Sequence, residues 1–152
     1  MNGVQILLVE DNPSDLALAL HAFKRNNLTN GVHVARDGEE AMSFLFKTGP
    51  HSSRTPDTDP QVILLDLKLP KVDGLEVLGA IKRDPRTSGI PVVILTSSAA
   101  ERDVVESYAL GVNSYIVKPV DFDQFSEAVR SIGFYWLLLN RAPERPQVVG
   151  AP

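Results

Sequence analysis

The chain has 152 residues, 43% hydrophobic and 22% charged, which suits one domain with a core of its own. Its 15 Lys and Arg stand against 19 Asp and Glu for a net charge of −4, and no stretch gathers the basic residues a nucleic-acid partner would require. Cysteine is absent, which excludes disulfides and thiolate metal sites, and no apolar run approaches the roughly 20 residues that cross a bilayer.

The start, MNGVQILLVEDN, has neither the basic end nor the long apolar segment of a secretion signal, so a soluble, cytoplasmic protein is expected. QILLV (5–9) predicts the first strand. A helix over 13–26 follows, opened by Asn12 as N-cap with Pro13 at the first helical position, and Leu16, Leu20 and Phe23 share one stripe. VHVA (32–35) predicts the second strand, and residues 38–47, with Ala41, Phe44 and Leu45, the second helix. The segment TGPHSSRTPDTDP (48–60) is polar with three prolines and is expected to be an enlarged, solvated surface loop. VILLD (62–66) is the third strand, and Leu75, Leu78 and Ile81 mark a helix over 74–83. PVVIL (91–95) precedes a helix over 99–110 that opens on the capping box Ser98-Ala-Ala-Glu101 and stops at Gly111. SYIV (114–117) is the fifth strand, and a fifth helix runs from about Asp121 to Leu139. Residues 1–139 then form the domain, and the proline-rich 140–152 a flexible tail. Continuously apolar strands alternating with amphipathic helices predict an α/β fold with a doubly wound parallel sheet and helices on both faces.

In such a sheet, ligands bind outside the carboxyl ends of the strands, where neighbouring strands send their helices to opposite faces. Glu10 and Asp11 stand at the end of the first strand, Asp66 at the third, Thr96 at the fourth, and Lys118 followed by Pro119 at the fifth. Three carboxylates at one rim, about 5 Å apart, repel by a few kcal/mol per pair, and a divalent cation offsets this. Mg²⁺ suits an all-oxygen site that leaves positions for phosphate oxygens. Asp66 is then placed to act as a nucleophile toward phosphorus, between Mg²⁺ and the Lys118 ammonium, with Thr96 adding a hydroxyl donor. A cis Lys118-Pro119 bond would aim the lysine.

LLVEDN, ILLDLKLPKVDG, VVILTSS and SYIVKP together closely resemble the receiver domain of two-component response regulators, the CheY-like, flavodoxin-like fold with strand order 2-1-3-4-5, over about residues 4–132. By that resemblance Asp66 is the phosphoacceptor, Asp11 the direct metal ligand, Glu10 its acidic neighbour, and the Lys68 backbone carbonyl completes the Mg²⁺ site. Thr96 resembles the family's switch hydroxyl, Lys118 its phosphate-binding lysine and Tyr115 its rotating aromatic; plain packing is the other reading of Tyr115. The pair is Glu-Asp rather than Asp-Asp, which bears on metal affinity. VARDGEEAMSFL, the proline-bearing loop and FYWLLLNRAP resemble the single-domain regulators encoded with bacterial and cyanobacterial phytochromes. The implied partners are a sensor histidine kinase of phytochrome type and a further phosphorelay protein, and the implied role is signalling rather than turnover of external substrates.

Two other functions share the pattern. Haloacid-dehalogenase-type phosphatases also place Asp after an apolar strand, but want an acid two residues on, where this chain has Lys68. A flavodoxin would carry a Ser/Thr/Gly-rich phosphate loop where EDNPSD stands. The spacing of His21, His33 and His51 matches no ligand pattern, so packed or solvated roles are expected, and Gly74 reads as a loop glycine. In the fifth helix, Phe122, Phe125, Val129, Ile132, Trp136 and Leu139 form one stripe, which leaves Phe134, Tyr135, Leu137 and Leu138 off it. These four are the candidates for a homodimer interface across the fourth-helix, fifth-strand and fifth-helix face; cover by the proline-rich tail or a neighbouring helix is the other reading.

Overall fold

A computed structural model of the protein describes residues 5–27, 31–96, 114–117 and 122–140. The strands are β1 (Ile6–Val9), β2 (Val32–Ala35), β3 (Val62–Asp66), β4 (Val92–Thr96) and β5 (Ser114–Val117). All pair in parallel, in the order β2-β1-β3-β4-β5. The helices are α1 (Pro13–Arg25), α2 (Gly38–Phe46), α3 (Gly74–Arg83) and a final helix, Phe122–Asn140. The helix expected over 99–110, with its capping box and Gly111, lies outside the described residues.

Alternation along the strands divides the core in two. Leu7, Val9, Ile63, Leu65, Val92 and Ile94 face α2 and α3, where they meet Ala41, Phe44, Leu45, Val77, Leu78 and Ile81. Ile6, Leu8, Val62, Leu64, Val93 and Leu95 face α1 and the final helix, against Ala19, Ala22, Phe23, Phe125 and Val129. Strands buried on both sides must be apolar at every position, which is why they read as continuous runs. Each such side chain contributes about 1.5–3 kcal/mol when fully buried.

Helix boundaries follow local chemistry. Asn12 caps α1 by accepting from the Asp15 amide at 2.9 Å, as expected. The buried face of α1 is Ala19, Ala22 and Phe23, with Leu16 and Leu20 only partly covered, because small residues let the helix approach the sheet closely. The Asn26 side chain donates to the Ala22 carbonyl at 2.9 Å and to Ser126 Oγ at 3.2 Å, tying α1 to the final helix. Asp37 caps α2 through the Glu40 amide at 2.7 Å, and α2 ends one residue early because Lys47 takes the left-handed conformation, φ 58.

The 48–60 segment departs from the expected solvated loop. It forms two short 3₁₀ turns, Gly49–His51 and Pro56–Thr58, and folds back on the domain. The Arg54 guanidinium lies 4.0 Å from the Phe44 ring centroid, donates to the Phe44 carbonyl and Thr58 Oγ1, and pairs with Asp59 at 3.0 Å, leaving its side chain 8% exposed. A planar cation over an aromatic face buries its stem while its hydrogen bonds offset the desolvation.

Candidate functional site

The alternation that builds the second core places two acids. Glu10 continues Ile6 and Leu8 one step beyond β1, and its amide still donates to the Ala35 carbonyl at 2.9 Å. Asp66 continues Val62 and Leu64 as the last residue of β3. Val9 pairs with Leu65, so the next row sets Glu10 level with Asp66. Both are buried, 1% and 4% exposed. Asp11 is partly exposed beside them, and one carboxylate oxygen from each of the three lies within 4.8 Å of the others. At an effective dielectric of about 20, such ionised pairs repel by about 3 kcal/mol or more. Local hydrogen bonds hold the carboxylates in place: Glu10 Oε2 accepts from the Asn12 amide at 3.2 Å, and Asp66 Oδ1 from the Lys68 amide at 3.1 Å.

An open cleft of about 510 Å³ adjoins the acids, lined by Asp11, Leu67, Lys68, Leu69, Pro70, Asp73 and Leu75. Clustered, partly buried carboxylate oxygens are the donor set of a hard divalent cation. Asp73 was not singled out in the sequence. It occupies the N-cap position of α3 yet its side chain makes no capping bond, and the Asp-Gly step before a helix is the signal that could have found it.

Gly74 opens α3, as the helix expected over 74–83 requires, and is not part of the preceding loop. A Cβ there would lie 2.4 Å from Leu67 Cα and 2.5 Å from the Asp66 carbonyl oxygen. Only glycine lets α3 start directly against the end of β3, where its amide donates to the Leu67 carbonyl at 3.0 Å. The loop between them turns through Lys71 at φ 69. Its ammonium lies 3.7 Å from Asp37 and 3.5 Å from Glu39, and those carboxylates raise its pKa.

Of the other expected site residues, Thr96 closes β4 in register with Val117, and Tyr115 pairs with Ile94. This brings the backbone of Thr96 to the same rim as Asp66. Lys118 and Pro119 lie outside the described residues, as do the side chains of Thr96, Tyr115, Phe134, Tyr135, Leu137 and Leu138.

The model of the response regulator receiver domain matches residues 6–130. The chain belongs to that family. It is 44% identical over 140 residues to the probable methanogenesis regulatory protein FilR2 of Methanothrix harundinacea (strain 6Ac), covering 91% of this chain and 86% of the relative. It is 42% identical over 132 residues to response regulator Rcp1 of Synechocystis sp. (strain ATCC 27184 / PCC 6803 / Kazusa), covering 87% and 88%. Among solved structures, the bacteriophytochrome response regulator AtBRR shares 55% identity at a TM-score of 0.75, over 92% of this chain and 99% of that one. The Mn(2+)-bound form of Rcp1 superposes at a TM-score of 0.78 with 38% identity, covering 98% and 99%. The doubly wound receiver fold and the response-regulator function expected from the sequence are therefore established. Nothing supports the phosphatase alternative. A receiver of this family works with a histidine kinase and binds a divalent metal, and no helix among the described residues is long and apolar enough to cross a membrane.

Proposed function

We propose that Asp66 accepts a phosphoryl group from the phosphohistidine of a sensor kinase and that the resulting charge changes the protein's surface. One observation carries this reading: in a chain of the receiver family, Asp66 is buried at the end of the central strand, within 4.8 Å of Glu10 and Asp11. A carboxylate oxygen of Asp66 attacks phosphorus, the P–N bond breaks, and its electron pair returns to the imidazole, which takes up a proton. Asp11 and Asp66, with the Lys68 carbonyl and Glu10, would hold Mg²⁺, which when bound supplies positive charge to the phosphoryl oxygens. The Lys118 ammonium neutralises charge from the fifth strand. The Thr96 hydroxyl donates to a phosphoryl oxygen, and Tyr115 follows it inward. The protein is a signalling component that catalyses only its own phosphorylation and dephosphorylation.

The kinase we assign is of phytochrome type, a reading supported by the 55% identity to a bacteriophytochrome response regulator. The receiver domain comprises residues 1–139 and works in the cytoplasm. Signal leaves by a downstream phosphorelay protein or by a homodimer packed through Phe134, Tyr135, Leu137 and Leu138. Radiolabel transfer from an autophosphorylated phytochrome-type kinase tests the chemistry: wild type should gain label as the kinase loses it, and Asp66→Asn should gain none. Label on Asp66→Asn equal to wild type would overturn the assignment. For the dimer, light scattering should give twice the chain mass, and the chain mass for Phe134→Ser with Leu138→Glu. A monomeric wild type, with and without a phosphoryl mimic, would end that part.

A further inference from the structure

A second cluster of ligand-type side chains lies along the β2 edge of the sheet. His33 comes from β2, Glu40 from the first turn of α2, and His51 from the first turn of the 48–60 segment. One ligand atom from each lies within 4.8 Å of the other two. His33 stacks on Phe44 at 4.0 Å between ring centroids, and His51 stands edge-on to both rings at 5.3 Å. An independent observation points to an absent partner: His33 Nε2 is buried and makes no hydrogen bond. A buried ring nitrogen left without a partner is costly, and natural structures seldom tolerate one. The two histidines also line a cavity of about 350 Å³ with Phe44, Arg54, Thr58 and Pro60.

We propose that His33, His51 and Glu40 form a second divalent-metal site, of zinc type, that fastens the 48–60 segment to β2 and α2. Two imidazoles and one carboxylate are a zinc donor set that leaves a fourth position for water. Ligand atoms already within 4.8 Å need only small rotations to reach the separation of about 3.3 Å set by a tetrahedron with bonds of ~2.0–2.1 Å. The set lacks the many oxygens that Mg²⁺ prefers, so the two sites select different ions. The nearby Arg54 cation, whose Nη2 is also buried without a partner, is balanced by Asp59 at 3.0 Å. Glu40 Oε1 accepts from the Arg36 amide at 3.0 Å, leaving its second oxygen for the ion.

The test titrates the full chain with Co²⁺ and with Zn²⁺ in excess Mg²⁺, which keeps the three-acid site filled. Wild type should bind one Co²⁺ with the intense visible absorption of low-coordinate cobalt, and one Zn²⁺ with a rise in melting temperature. His51→Gln and His33→Gln should weaken binding by more than the roughly 10–100-fold typical of losing an outer-shell partner. Glu40→Gln, which keeps an acceptor for Arg36, should weaken it as well, while Asp11→Ala should leave it unchanged. Should His33→Gln fail to fold, His51→Gln and Glu40→Gln decide the matter, since His51 lies on the peripheral segment. Wild type that binds neither ion in excess Mg²⁺ overturns the proposal, as does equal binding by His51→Gln.

Discussion

The two clusters of titratable side chains were assembled by different means. Asp66 ends β3 while Glu10 and Asp11 follow directly on the neighbouring β1, and the pairing of Val9 with Leu65 sets Glu10 level with Asp66. Once the sheet forms in this register, the acids have no alternative to meeting. His33, Glu40 and His51 come from an edge strand, a helix and an irregular segment, and they meet where Arg54 on Phe44 and Ser43 on the Thr48 carbonyl hold the segment to α2. A site set by strand register follows from the fold itself, whereas a site closed by a surface segment depends on a few side-chain contacts and can be altered without touching the first.

The largest expected separation between the clusters is in metal binding at the three-acid site. Asp11→Ala should weaken Mg²⁺ binding by more than the roughly 10–100-fold expected of an outer-shell loss, and Glu10→Gln by less than Asp11→Ala. Glu10→Gln keeps the bond from the Asn12 amide and removes a buried charge, so metal-free protein should melt higher than wild type. Isothermal titration and melting curves read both effects, and equal Mg²⁺ affinity for wild type and Asp11→Ala would refute the assignment of ligands.

Next comes the backbone that sets the rim. Gly74→Ala forces a Cβ into the Leu67 backbone and should cost about 1–3 kcal/mol as overpacking does, with slower phosphorylation of Asp66. Gly89→Ala, which meets nothing within 4 Å, should stay within about 0.5 kcal/mol of wild type in the same denaturant titrations.

A comparable loss of stability with the opposite functional pattern is expected at Arg54. Arg54→Ala removes a half-hidden ion pair, two hydrogen bonds and the ring contact with Phe44, so about 1–3 kcal/mol should be lost. Protease should then cut faster within residues 48–60, while phosphorylation proceeds at the wild-type rate. Slowed phosphorylation would mean the two regions are coupled.

How much of this was legible in the sequence follows the same division. The strands could be read because burial on both faces demands unbroken apolar runs, and Asp66 stood out as a carboxylate ending one of them. Asn12 and Pro13 announced α1 because capping chemistry is local. The packing of the 48–60 segment could not be read, because polarity and three prolines indicate a loop without saying where Arg54 will dock. His33 and His51, 18 positions apart on elements of different kinds, show no spacing that periodicity could reveal. The need for glycine at position 74 could not be read, because it arises from the close approach of α3 to β3, a tertiary fact.

The smallest effect tests neither cluster and serves as a control on both. Arg86 bonds to Asp84 through its side chain and its amide, holding the Asp84 pKa at about 2 against the ordinary 3.8. A carboxylate with a lowered native pKa stabilises the fold above its unfolded value, and the contribution is lost as pH falls from about 4 toward about 2. Asp84→Asn should therefore be slightly less stable than wild type at neutral pH, and the difference should vanish at the acid end of that window in pH-resolved melting.

Asp66 alone is expected to carry the phosphoryl group, and borohydride trapping reads the site of attachment residue by residue. Wild type is phosphorylated with acetyl phosphate and Mg²⁺, reduced with borohydride, digested and mapped by mass spectrometry. Reduction converts an aspartyl phosphate to homoserine, so homoserine is expected at position 66 and unchanged acids at positions 10, 11 and 73. Homoserine at position 11 or 73, or its glutamate-derived counterpart at position 10, with Asp66 intact, would contradict it.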